Sequence, residues 1–140
     1  MVFLGEECLF CKIVSGKIPA TKLYEDENTL SFLDVYPSAK GHSLVIPKKH
    51  YATLLDIPEA ELREVMRVVQ KIGAAVMKAT NAKGFNVLQN NFEAAGQAIH
   101  HMHFHIVPRF ENDGLKLSFG GAKAEMEELG EWQKRVKKHL

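Results

Sequence analysis

The run His101-Met102-His103-Phe104-His105-Ile106-Val107 constrains this chain more than any other segment. Alternation of imidazole with apolar side chains has the period of a β-strand, so residues 102–109 are expected as a strand. It would carry His101, His103 and His105 to one face and Met102, Phe104 and Ile106 to the other. The apolar face needs a hydrophobic partner layer. The imidazole face carries six ring nitrogens that a dry core would have to satisfy, and a solvated face would more cheaply use Lys, Glu or Thr. Four of the seven histidines lie within residues 100–105, which marks that face as a working surface.

The remaining elements follow from local pattern. Cys8 to Val14 reads as one helical turn closed by Ser15-Gly16, with Pro19 preventing continuation. Lys22-Leu23-Tyr24-Glu25 and Thr29-Leu30-Ser31-Phe32-Leu33 read as a hairpin about the polar turn Asp26-Glu27-Asn28. Residues 41–47, centred on Leu44-Val45-Ile46, form a third strand between a Pro37-Ser38 turn and Lys48-Lys49. One long helix is expected from near Asp56, with Pro58 in its first turn and Glu59 completing a capping box, to Thr80–Lys83. Its apolar stripe is Leu62, Val65, Val69, Ile72 and Val76. Phe85–Asn90 reads as the fourth strand, joined to the histidine strand by residues 91–100. A C-terminal helix is expected over about 122–139, acidic early and basic late as the helix dipole favours.

This order predicts an α+β fold, a five-stranded, largely antiparallel sheet with helices against one face. At 140 residues the chain fits a single domain, 1–140. Its formal net charge of +1, with 25% charged and 46% hydrophobic residues, argues against nucleic acid or an anionic membrane surface as partner. No signal segment or membrane span is visible, and the cytoplasm is the expected location. No Rossmann or Walker glycine loop is present.

Three chemistries fit the reactive residues. Cys8 and Cys11, spaced C-x-x-C, can fill two positions of a tetrahedral zinc site, with His50 and one of His100 or His101 completing it. The histidine strand could itself hold a catalytic metal, but its three imidazoles span roughly 13 Å in an extended strand, and no H-E-x-x-H helix supports that reading. The third is nucleophilic chemistry on phosphate. A neutral histidine of fixed tautomer presents a bare nitrogen, its neighbours donate to phosphate oxygens, and the turn at Gly96-Gln97 with Asn90 offers further donors.

These residues resemble the histidine triad family of nucleotide hydrolases and transferases, whose motif alternates three histidines with apolar residues as residues 101–107 do here. The likeness extends through Cys8-Leu9-Phe10-Cys11, Phe32-Leu33-Asp34, residues 41–50 and Ala95-Gly96-Gln97. The resemblance implies a covalent nucleotidyl intermediate on His103, α-phosphate contacts from His105, Gln97 and the loop amides, and His42 as a further active-site histidine. Asn90 then contacts ribose or phosphate, Asp34 the ribose hydroxyls, and Leu9, Phe10, Ile13, Phe32 and Val35 line the base pocket. It also implies a structural zinc on Cys8, Cys11, His50 and His101, no organic cofactor, a purine nucleotide of AMP type as substrate or product, and a homodimer whose sheets join. Two departures stand out: Ala98, in the nucleotide site, replaces the usual Ser or Thr, and His100 the usual apolar or aromatic residue. The rival reading is a nucleotide-binding, zinc-stabilised interaction protein with vestigial catalysis.

Overall fold

The computed structural model describes residues 7–117 and 119–140. Helix α1 (Leu9–Val14) precedes strands β1 (Lys22–Glu25), β2 (Thr29–Leu33) and β3 (Ser43–Pro47). Helix α2 (Glu59–Thr80), strand β4 (Gly84–Leu88), strand β5 (Phe104–Arg109) and helix α3 (Met126–Lys137) follow. All five strands pair antiparallel in the order β1-β2-β3-β5-β4, which agrees with the expected α+β architecture.

Strand β3 lies at the centre and is buried along its whole length. That explains its unbroken apolar run, because each face of the strand meets a different helix. On one face Val45, Phe104 and Ile106 pack with Met102 under Val65, Val68, Val69, Ile72 and Val76 of α2. On the other, Leu30, Phe32, Leu44 and Ile46 pack with Cys8, Phe10 and Ile13 of the N-terminal turn and α1. The helices therefore take both faces, not one. A six-residue helix was too short to announce a packing stripe, and its Phe10 and Ile13 could not be assigned a side in advance.

Several boundaries also move. Helix α2 begins at Glu59 with Pro58 as N-cap and no side-chain capping bond. Asp56 instead accepts from the backbone N–H and the hydroxyl of Thr53 at 2.9 and 3.0 Å, closing the preceding turn. Burial holds α2 in place of a cap: each Val or Ile removed from water is worth about 1.5–3 kcal/mol, more than the roughly 1 kcal/mol of a good N-cap. The histidine strand starts only at Phe104 because Met102 N–H bonds Tyr51 C=O at 2.7 Å, outside the ladder. The alternation of sides nevertheless persists, with Met102 and Phe104 in the α2 core. Helix α3 is four residues shorter at its start than expected, begins at Met126 and buries none of its side chains. No helix among the described residues is long and apolar enough to cross a membrane.

Candidate active site and metal centre

Strand register assembles the site. Phe32 opposes Leu44, and Leu44 opposes His105, so these three share the α1 face. Two residues along, Asp34 and His42 return to the same face, and Asp34 N–H bonds His42 C=O at 3.0 Å. His42 and His105 become diagonal neighbours. On the far side Leu88 opposes His105, which brings Asn90 toward the same face. Gly41 sits at φ +93°, and a Cβ there would come within 2.7 Å of a Thr80 methyl, so the turn before His42 needs glycine to close against α2.

Two clusters of ligand-type atoms form, and outer hydrogen bonds set the tautomers of His101, His42 and His103. Cys8, Cys11, His50 and His101 place their ligand atoms within 4.8 Å of one another. Cys8 Sγ to His101 Nδ1 is 3.4 Å, Cys11 Sγ to His50 Nδ1 3.4 Å and Cys11 Sγ to His101 Nδ1 3.5 Å. A tetrahedral zinc with ordinary Zn–S and Zn–N bonds holds sulfur and nitrogen about 3.5 Å apart, so the donor set fits that ion. His101 Nε2 lies 2.7 Å from Pro47 C=O, which can only accept. The proton is therefore on Nε2 and the Nδ1 lone pair faces the sulfurs, the outer bond expected of a metal-ligating histidine. Burial pushes His101 down to about 4 and lowers His50, so both rings are neutral, the form a cation would bind. Burial, then the adjoining Cys8, raise Cys11 to about 11, a crowding of thiols that a divalent cation would reverse. Cys8 caps α1, its Sγ accepting from Cys11 N–H at 3.4 Å, so the C-x-x-C spacing is one helical turn.

Asp34, His42 and His105 form the second cluster. Ser38 N–H, which can only donate, lies 3.0 Å from His42 Nδ1. That ring, held neutral by burial, carries its proton on Nε2, 3.0 Å from His105 Nδ1 and 3.5 Å from Asp34 Oδ2. A metal on Nε2 would force the proton onto Nδ1, against the Ser38 amide, so this cluster orders protons and does not suit a cation. His42 thus donates to His105 Nδ1, and His105, pushed down to about 4 by burial and then by His103 and His42, keeps its own proton on Nε2. His103 is the reverse case. Its Nδ1 lies 2.7 Å from His101 C=O, so Nδ1–H donates and Nε2 is a bare lone pair, on a ring that burial keeps neutral. The two rings meet edge to face at 4.9 Å between centroids, one offering a lone pair and the other an N–H.

Both line a cavity of about 440 Å³ on the α1 face. Leu9, Phe10, Ile13, Phe32, Asp34, Val35, Asn90 and Ala98 line it as well, so these expected nucleotide-site residues converge on one space. Phe10 stands edge-on to both His101 and His103, at 5.9 and 5.1 Å between centroids, and forms the wall between the two clusters. Gln97 departs from expectation. It is absent from the cavity lining, its amide spent on the main chain of Phe92, Ala52 and Ile99. His42 also stands behind His105 and not in the lining. His100 lies outside both clusters, 3.8 Å from Glu93. Sequence reasoning missed Tyr36 and Ile99 in the lining, and the Ser38 amide and Pro47 carbonyl that set the tautomers. The main-chain groups carry no side-chain signal; only the neighbouring prolines at 37 and 47 marked those turns.

The chain is similar to several known proteins. The HIT domain family model matches residues 15–112. Adenylylsulfatase HINT3 of Arabidopsis thaliana is 48% identical over 112 residues, covering 80% of this chain and 57% of that protein. Adenosine 5'-monophosphoramidase HNT1 of Candida albicans is 39% identical over 138 residues, 95% of this chain and 91% of its own length. Among solved structures, a Zn-bound histidine triad family protein from Mycobacterium smegmatis superposes with a TM-score of 0.76 at 36% identity, covering 98% of this chain and 100% of that one.

Proposed function

The chain belongs to the HIT domain family of nucleotide hydrolases, and we propose that it cleaves AMP conjugates at the α-phosphate through a covalent nucleotidyl intermediate on His103. The observation that carries the reading is the opposed tautomers of His103 and His105 in one cavity wall. His103 Nε2 attacks the α-phosphorus; an N–P bond forms and the bond to the leaving group breaks, its electron pair departing with that group, which takes up a proton from solvent as it leaves. The ring becomes cationic, and its Nδ1–H tightens on the His101 carbonyl as a charge-assisted bond. His105 Nε2–H donates to a non-bridging phosphate oxygen where charge accumulates, with His42 and the Ser38 amide holding that proton in place. Water then attacks the phosphorus and gives up a proton to solvent, the N–P bond breaks with its electron pair returning to Nε2, and AMP leaves with His103 restored. Asn90 and Asp34 serve the ribose and phosphate side, and Leu9, Phe10, Ile13, Phe32 and Val35 the base. Ala98 offers backbone and no hydroxyl to the leaving group.

The names of the two relatives share AMP and differ in what is attached to it, an amide or a sulfate. A chain whose cavity ends in donors for phosphate and an apolar base wall suits that shared half, so the substrate class is adenosine 5'-phosphoramidates and related AMP esters. Cys8, Cys11, His50 and His101 would hold a zinc as a structural cross-link between α1 and the turn before β5; when bound, it supplies thiolate charge compensation and no reactive oxygen. The outer edge of β4, with Phe85 and Val87 about 40% exposed, supports a homodimer joined at that edge. Turnover of adenosine 5'-phosphoramidate by the wild type and its loss in His103→Ala test the reading. Tight AMP binding without turnover of phosphoramidate, adenylyl sulfate or diadenosine polyphosphate would instead favour a binding protein.

A further inference from the structure

Gln97 is 3% exposed and every polar atom of its side chain is engaged with main chain, at Phe92 and Ile99 of its own loop and at Ala52 of another segment. Oε1 accepts from Phe92 N–H at 2.7 Å, and Nε2 donates to Ala52 C=O at 2.6 Å and to Ile99 C=O at 3.1 Å. A side chain so placed has no donor left for a phosphate.

What it holds is unusual. Phe92 adopts φ 72° and ψ 158°, a region that costs any residue other than glycine and persists only where surroundings over-determine it. The residue is 57% exposed, so core packing does not impose the conformation. The restraints are polar: its N–H on Gln97 Oε1, and its C=O accepting from Ala95 N–H and Gln97 N–H, both at 3.1 Å. Gln97 thus grips Phe92 from main chain and side chain together. The turn so closed lies between Asn90 and Ala98, and Asn90, Gly96, Ala98 and Ile99 form the cavity wall that shares its space with His103 and His105. A second tie, Leu54 N–H to Asn91 Oδ1 at 2.7 Å, fixes the same turn to the segment that leaves His50 and passes through Ala52.

We propose that Gln97 is a positioning residue: its amide holds the strained Phe92 turn and thereby sets the Asn90–Ala98 wall against His103 and His105. This rests on the hydrolase reading only for what the wall contacts. The role gives a distinctive expectation, because a glycine at 92 adopts the same backbone angles without restraint.

The test is a double-variant cycle on the full chain, with adenosine 5'-phosphoramidate turnover, AMP affinity and amide hydrogen exchange as readouts. Gln97→Ala should lower kcat/KM by about ten- to a hundredfold, as misplacement of a site wall does. It should also speed exchange at the Phe92 and Ala95 amides. Phe92→Gly alone should stay near wild type, and Phe92→Gly with Gln97→Ala should recover most of the loss. If the Gln97→Ala loss is the same in both backgrounds and exchange at Phe92 is unchanged, Gln97 acts on the phosphate directly and the proposal is overturned. Should the wild type not turn over the phosphoramidate, the hydrolase reading fails; the exchange comparison still decides the latch, faster exchange upholding it and unchanged exchange overturning it. If Gln97→Ala does not fold, Gln97→Met, which fills a similar volume but lacks both the acceptor for Phe92 and the amide donors, takes its place in the cycle with the same outcomes.

Discussion

Acidification should destabilise this protein through His105 in a measurable and removable way. Burial first, then the neighbouring His103 and His42, push His105 down to about 4, whereas an unfolded chain titrates its histidines near about 6.5. Between those values the unfolded state binds a proton that the folded state refuses. Stability therefore rises with pH through this window, is fully present above about 6.5 and is lost as pH falls toward 4. Taken at face value, moving from about pH 7 to about pH 4.5 removes about 2.6 kcal/mol; partial solvent access to the ring reduces this to about 1–1.5 kcal/mol. Replacing the ring with a neutral amide, His105→Asn, keeps an oxygen able to accept from His42 Nε2–H and deletes the titration. Urea melts of both proteins at the two pH values give the measurement. Protonation of the Cys8, Cys11, His50 and His101 set is common to both and cancels in the difference. Wild type should lose about 1 kcal/mol more than the variant, or about 0.5 M in urea midpoint. Equal losses would refute the burial argument for His105 and with it the neutral tautomers drawn from it.

Three further outcomes are expected. Phe10→Ala removes a ring in edge contact with Phe32, His101 and His103 and should cost about 3–5 kcal/mol by urea melting, with weaker AMP binding by calorimetry. Cys8→Ser should lower zinc per chain, read by elemental analysis, and reduce Tm, since a bound metal stabilises only the folded state; unchanged zinc content would count against the four-ligand site. Ser38→Pro deletes the one N–H that orders His42 and His105, worth about 0.5–1.5 kcal/mol. It should lower kcat up to roughly tenfold with zinc content intact, and an unaltered kcat would show that the relay does not matter.

The periodic elements were legible because periodicity reports burial directly. The alternation at residues 101–107 gave the sides of Met102 and Phe104 correctly even though the ladder begins only at Phe104. The α2 stripe was likewise readable from Leu62 to Val76. What escaped depends on long-range partners. Asp56 looks like an N-cap from its distance to Glu59, yet the Thr53 turn claims its carboxylate. Gln97 looks like a phosphate donor beside Gly96, and only the fold shows Ala52 and Phe92 consuming its amide. The fourth position of the Cys/His cluster, open between His100 and His101 on residue type and given to His101 by the family resemblance, is filled in space by His101, whose Nδ1 stands 3.4 and 3.5 Å from the two sulfurs in an orientation held by the Pro47 carbonyl.

The covalent role of His103 is the claim on which the account turns, and rapid-quench mass spectrometry addresses it most directly. Mixed with adenosine 5'-phosphoramidate and quenched within one turnover, the wild type should carry one AMP mass, located on the peptide containing His103 and chased away by water. The His103→Ala variant should bind AMP and carry none. An adduct on another residue, or turnover by the variant at the wild-type rate, would contradict the account.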